Sequence, residues 1–229
     1  YEAGVELNLF QNKAAVGITY YRNNMKDQII PVTVSRSTGF SSTKLNSASF
    51  YNTGLELDLT LSNLLKSKDW NIGFTGNATY NQSKVLSIYP GLDRIQIGGF
   101  ANASNYAYVG KPAMTFMVKD YIRDSAGHII VDRATGLPSV NPNLVTMGRT
   151  TPEWTIGLSP TVSWKTLRLS VVAEFKGGHL AYGRIGNEMA WTGVSAATAY
   201  NNRERFVIPN SVYMDPVSGK YVENKTITI

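Results

Sequence analysis

The sequence predicts an all-β fold, a fragment of a large antiparallel transmembrane β-barrel with long extracellular loops. Three observations carry that expectation. Six segments alternate apolar and polar residues, short and long connections take turns between them, and aromatic residues stand at both ends of the cleanest apolar faces.

The elements justify themselves in chain order. The first, 2–10, sets Val5, Leu7 and Leu9 against Glu6 and Asn8, and the second, 14–22, repeats the pattern with Val16, Ile18 and Tyr20. In the third, 52–62, Leu55, Leu57, Leu59 and Leu61 oppose Glu56, Asp58 and Thr60. The fourth, 70–82, is the most regular: Trp70, Ile72, Phe74, Gly76, Ala78 and Tyr80 oppose Asn71, Gly73, Thr75, Asn77, Thr79 and Asn81. The fifth, 153–164, turns Trp154, Ile156, Leu158, Val162 and Trp164 away from Thr155, Ser159, Thr161 and Ser163. The sixth, 167–176, turns Leu167, Leu169, Val171, Ala173 and Phe175 away from Arg168, Ser170 and Glu174. Successive side chains of a strand point to opposite faces, so each segment has one apolar and one polar side.

The links between segments are uneven. Residues 11–13, 62–69 and 165–166 form brief turns, whereas 23–51, 83–152 and 177–229 read as long loops. A compact soluble domain joins its strands with a handful of residues. An outer-membrane barrel has tight periplasmic turns and elaborate external loops, which yields this alternation.

Alternation also fits a soluble β-sandwich or β-barrel that binds carbohydrate, so the aromatics decide between the two. Trp70 and Tyr80, like Trp154 and Trp164, stand ten residues apart on one face. At roughly 3.3 Å per residue and a tilt near 40°, that separation projects to about 25 Å along a membrane normal, the spacing of two aromatic girdles. The opposite faces are rich in Asn, Thr, Ser and Gly, as suits a lumen.

Composition narrows the function classes. Charged residues make up only 17% of the chain, below the usual quarter for a soluble domain. The net charge of +6 is scattered rather than gathered into a stripe with stacking aromatics, which argues against nucleic acid. There is no Cys, so disulfides, thiolate metal sites and a cysteine nucleophile are excluded. His128 and His179 lie far apart and read as loop residues. No metal site, cofactor or catalytic set is expected. Asp120, Asp124 and Gly127 lack the spacing of a calcium loop, and Asp124-Ser125-Ala126-Gly127, Asp132-Arg133-Ala134-Thr135-Gly136 and Asp215 through Gly219 read as ordinary turns. Glu56 and Asp58 share a strand face and suggest a glycosidase pair, but a solvated lumen wall is the better reading. The chain is expected not to be an enzyme.

Several motifs together resemble a family. Ala15 through Ile29, Thr38-Gly39-Phe40-Ser41-Ser42, Gly110-Lys111-Pro112, Asp132 through Pro138, and Gly148 through Leu158 fall in the order found in the C-terminal barrel region of SusC/RagA-type TonB-dependent outer-membrane transporters. Asn46, Asn52, Gly54 and Glu56 match the spacing of that family's Asn-Ala-Gly-x-x-x-Asn-x-Gly-x-Glu pattern, with a departure at Ser47 and Ala48 that implies an altered Gly turn.

The resemblance implies a bacterial outer-membrane location and import of a large nutrient, a glycan or peptide. The partners it implies are a SusD-like surface lipoprotein, the TonB complex and outer-membrane lipid. It also implies that residues 1–229 are a partial barrel, since the plug and closing strands of such transporters, with about 22 strands, are not in this sequence. Exposed aromatics of the long loops, Tyr89, Phe100, Tyr106, Tyr108 and Tyr121, are the candidate substrate contacts, because their rings can stack on sugars.

Overall fold

A computed structural model describes residues 1–100 and 102–229, with only the backbone of Val32, Thr33 and Ser47. Its strands are β1 (Glu2–Leu9), β2 (Ala14–Thr33), β3 (Ser42–Lys66), β4 (Trp70–Ser87), β5 (Arg94–Phe100), β6 (Ala103–Tyr108) and β7 (Thr115–Val118). They continue as β8 (Ile129–Ile130), β9 (Val145–Arg149), β10 (Trp154–Trp164), β11 (Leu167–Ser170), β12 (Ala173–Gly177), β13 (Ser211–Met214) and β14 (Tyr221–Glu223). One α-helix, α1, spans Arg184–Trp191. No described helix is long and apolar enough to cross a membrane.

The main sheet is antiparallel, in the order β1-β2-β3-β4-β10-β11, with β12 also paired to β10. Its register aligns the faces of every strand. One row runs Val5, Ile18, Leu57, Ala78, Ile156, Phe175, and the adjacent row on the other side runs Glu6, Gly17, Asp58, Asn77, Gly157, Glu174. A slip of one residue in any strand would turn its leucines to the polar side, so the alternation itself fixes the register.

Two close approaches on the polar side demand glycine. The ring of Tyr21 crosses over Gly54 and its hydroxyl donates to Asn81 Oδ1 at 3.2 Å. Asn77 leans over Gly157 and accepts its backbone N–H at 3.0 Å. A Cβ at Gly157 would lie 2.5 Å from that same oxygen.

The stretch 23–51, expected as a loop, is mostly strand. β2 and β3 continue as a paired hairpin that closes on a short 3-10 turn at Arg36–Thr38. Asp27, at φ 53°, lies in a register shift between Met25 and Gln28, Gln28 pairs with Ala48, and a second shift follows before Ile29, so residues 47 and 48, where the Gly turn is expected to be altered, belong to a bulged ladder. The side chain of Ser47 lies outside the described residues. The reason for the difference is that Arg22 through Gln28 are nearly all polar, while the pairing there is made by backbone groups that side-chain alternation does not report.

The other two expected loops are structured as well. Residues 83–152 extend β4 to Ser87 and then build a four-stranded sheet in the order β5-β6-β7-β9. Residues 177–229 contain α1, a kinked 3-10 segment (Ala196–Arg203), β13 and β14, with β8-β13-β14 forming a three-stranded sheet. These segments carry buried residues of their own, which gives them reason to order.

The chain divides into two compact units. The first comprises Tyr1–Gly99, Ser104–Phe116 and Met147–Leu180. Beyond the main sheet it has a small core of Ala48, Val85, Ile88, Ile95 and Ala107, packed by Ile30, Leu45 and Ala113. The second comprises Phe100–Ala103, Met117–Thr146 and Ala181–Ile229. It buries Val131 and Val212, and Asn224 stitches its end by donating to Ser211 Oγ and the Ile227 carbonyl.

The sixth segment, expected to be continuous over 167–176, is broken into β11 and β12 at Val171-Val172. The cause lies in the neighbouring strand. In the shared register Pro160 faces Val171, whose N–H donates to the Pro160 carbonyl at 3.1 Å. The return bond has no donor, because proline lacks an N–H. Pro160→Ala supplies that donor and is expected to join β11 to β12. Hydrogen exchange tests this: the new amide at position 160 should be strongly protected, and free exchange there would place the cause of the break elsewhere.

Candidate functional site, a two-faced wall and its outer segments

The first unit presents an exposed apolar face. Val5, Leu7, Ile18, Leu55, Leu57, Leu158 and Phe175 all lie exposed on it, and Leu169 is 64% accessible. Contiguous apolar surface of this extent is uncommon on soluble proteins and marks contact with lipid or another apolar partner. A soluble sandwich would bury this face beneath a second sheet, so the carbohydrate-binding sandwich is not the fold observed.

Aromatic pairs close the band at each end. Trp70 and Trp164 face each other in register with ring centroids 5.9 Å apart, and Tyr80 meets Trp154 at 4.6 Å. Each pair couples an apolar body to a polar surrounding, as an interfacial aromatic must. The Tyr80 hydroxyl donates to Glu153 Oε1 at 3.2 Å and is contacted by the Gln82 amide, and Arg149 lies 3.8 Å from the same carboxylate oxygen. At the other end the Lys165 ammonium sits 5.2 Å over the Trp164 ring.

The opposite face of the sheet is polar throughout. Glu56 lies between Thr19 and Thr79, and Asp58 between Gly17 and Asn77. Toward the β3–β4 turn, Thr60, Asn71, Thr75, Ser159, Thr161 and Arg168 line a shallow groove. Such a face can hydrate a passage, and it offers no arrangement of nucleophile and base.

The five candidate aromatics are divided between the units. Tyr89 is exposed, whereas Tyr106 and Tyr108 are half-buried on one side of β6. In the second unit Tyr121 is exposed, and Phe100 is held between the Tyr182 ring at 5.8 Å and the Arg184 guanidinium at 4.3 Å. Sequence reasoning passed over Tyr182 and Arg184, because their relation to Phe100 spans some eighty residues and leaves no local signal.

The acidic turns of the second unit hold themselves. Asp124 accepts the backbone N–H groups of Ala126 and His128 and meets His128 Nδ1 at 2.8 Å. Asp132 accepts from the Thr135 hydroxyl and from the N–H groups of Thr135 and Ala134, while Asp215 accepts from Val217 and Ser218. The closing glycines, Gly127, Gly136 and Gly219, all have positive φ.

Those bonds favour the ionised carboxylates. The Thr135 hydroxyl and amide hold Asp132 below the ordinary aspartate range. A lowered folded-state pKa means the turn's extra stability is present above the ordinary aspartate value and is lost as pH falls through the lowered one. The protection of the Ala134 and Thr135 amides, measured against their own pH-dependent intrinsic exchange, should therefore fall only on acidification into that window, and Asp132→Ala should remove that protection at every pH.

Three comparisons bear on identity. A family model described as TonB dependent receptor-like, beta-barrel matches residues 1–220. The chain belongs to that family of TonB-dependent receptor β-barrels. A curated relative, TonB-dependent receptor P39 of Formosa agariphila, is 28% identical over 98 residues, which is 42% of this chain and 9% of that protein. Among solved structures, a chain in the RagAB peptide transporter aligns with a TM-score of 0.61 at 24% identity, covering 77% of this chain and 20% of the other. The RagAB peptide importer in its closed-closed state aligns with a TM-score of 0.60 at 22% identity, covering 78% of this chain and 21% of that one. This receptor segment thus spans about a fifth or less of the length of the proteins it matches, and at these identities the structures show likeness of fold.

Membership places the receptor segment in the bacterial outer membrane and gives its faces their surroundings. The apolar face meets lipid, the polar face turns to the barrel interior, and the short turns at 10–13, 67–69 and 165–166, the second shorter than expected because β3 runs on to Lys66, lie at the periplasmic rim.

Proposed function

We propose that the complete receptor imports a large nutrient, a peptide or a glycan, across the outer membrane on force relayed through the TonB complex, with a SusD-like surface lipoprotein as its partner. The observation that carries this reading is the two-faced wall, an exposed apolar band between aromatic pairs backed by a continuous polar lining. The likeness of fold to the RagAB peptide transporter supports it and makes peptide the first cargo to test.

In this reading the segment is a wall and not an enzyme. Glu56 and Asp58 hydrate the interior, and the exposed aromatics Tyr89, Phe100 and Tyr121, with Tyr106 and Tyr108 on β6, contact cargo before it enters. The test is growth of a strain lacking the receptor gene on peptide or on polysaccharide as sole nutrient source. Growth should fail on one source and return with the intact gene, and a Tyr89→Ala/Phe100→Ala/Tyr121→Ala receptor should restore it only at high substrate concentration. Unimpaired growth of the deletion strain on both sources would overturn the proposal.

A further inference from the structure

The periplasmic rim carries an unbalanced charge. The three turns that form it hold Lys13, Lys68 and Lys165 against the single carboxylate of Asp69, while Lys66, the last residue of β3, pairs with Asn71 on the polar side. The three turn lysines are exposed, and among the described residues none of them forms an ion pair. The backbone ties each turn to the next strand along the rim: Ser62 donates its N–H to the Lys13 carbonyl at 2.7 Å, and Lys165 donates its N–H to the Asp69 carbonyl at 2.8 Å. The opposite end of the band is balanced, since Arg149 there faces Glu153.

Next to the ammonium groups lie side chains suited to the membrane interface. Trp70 and Trp164 are each 42% exposed, and Phe10, Leu64, Leu65 and Leu167 are exposed around them. Lys165 reaches over the lipid-facing ring of Trp164, so its charge points toward the bilayer surface and away from the polar interior. An apolar belt edged by unpaired cations at headgroup depth attracts phosphate-bearing anionic lipid.

We infer that this rim is a binding surface for the headgroups of anionic phospholipids in the periplasmic leaflet, with Lys13, Lys68 and Lys165 supplying charge and the two tryptophans the interfacial seat. The inference rests on the membrane placement of the wall and is independent of what the receptor carries.

The test uses the full-length receptor in detergent and native mass spectrometry with phosphatidylglycerol or phosphatidylethanolamine added. The intact receptor should retain phosphatidylglycerol in preference, and the preference should weaken with salt. A Lys13→Gln/Lys68→Gln/Lys165→Gln variant should bind the two lipids equally while keeping its heat-modifiable gel shift, which shows that the barrel is assembled. Competition by inorganic phosphate at concentrations matching the lipid would point to a free-anion site and overturn the proposal. Equal binding of both lipids by the intact receptor, or an undiminished preference in the variant, would overturn it as well. Absence of nutrient uptake by the intact receptor, with its lipid preference preserved, would count against the import reading alone.

Discussion

Leu158→Arg is expected to abolish assembly of the receptor barrel, while Ser159→Arg, one residue along, leaves it folded. Leu158 lies near the middle of the apolar band, in register with Gly76 and Ala173, and its side chain faces lipid. A guanidinium held at that depth costs about 2–4 kcal/mol in a barrel. Ser159 pairs with Thr75 on the polar face, where the same group meets water. Outer-membrane fractionation and the heat-dependent gel shift read both outcomes. Equal behaviour of the two variants would mean that the faces have been assigned wrongly.

Gly54→Ala should be the most damaging small substitution in the wall. A Cβ at that position would overlap the Tyr21 hydroxyl, come within 2.5 Å of Tyr21 Cζ and approach the Tyr80 carbonyl oxygen at 2.6 Å. The tyrosine can swing aside at the cost of its bond to Asn81, but the carbonyl belongs to the paired strand β4 and cannot. Overpacking of this kind costs about 1–3 kcal/mol. Denaturant unfolding of the full-length receptor in lipid measures it. Adding Tyr21→Ala should recover only part of the loss, because the Tyr80 carbonyl remains in place.

What the sequence disclosed follows from where lipid touches the chain. Between Trp70 and Tyr80 one face meets hydrocarbon, so every second residue must be apolar, and that constraint is written into the residues. Past Tyr21 the constraint is gone. The hairpin from Arg22 onward is held by backbone pairing and by a core reached through Ile30, Leu45 and Ala48, and its polar side chains resemble those of a loop.

Two other features were hidden for different reasons. The break at Val171-Val172 is caused by a proline in another strand, visible only once the register is known. Tyr106 and Tyr108 read as loop aromatics because β6 is short and sits among turns, yet its residues Ser104 and Ala107 are buried. The stacking of Arg184 and Tyr182 on Phe100 joins distant parts of the chain, which no local pattern records.

The β2–β3 hairpin has a mechanical consequence. From Arg22 to Thr33 its paired strands continue for about 30 Å past the girdle at Tyr20 and Tyr80. The ribbon is tied into the wall at its base and braced where Ile30 and Leu45 pack against the small core of Val85, Ile88 and Ile95, so it stands as a stiff mast. Its tip at Arg36–Thr38 therefore cannot drift over the bilayer like a free loop, so any force applied there is delivered to the rim of the barrel.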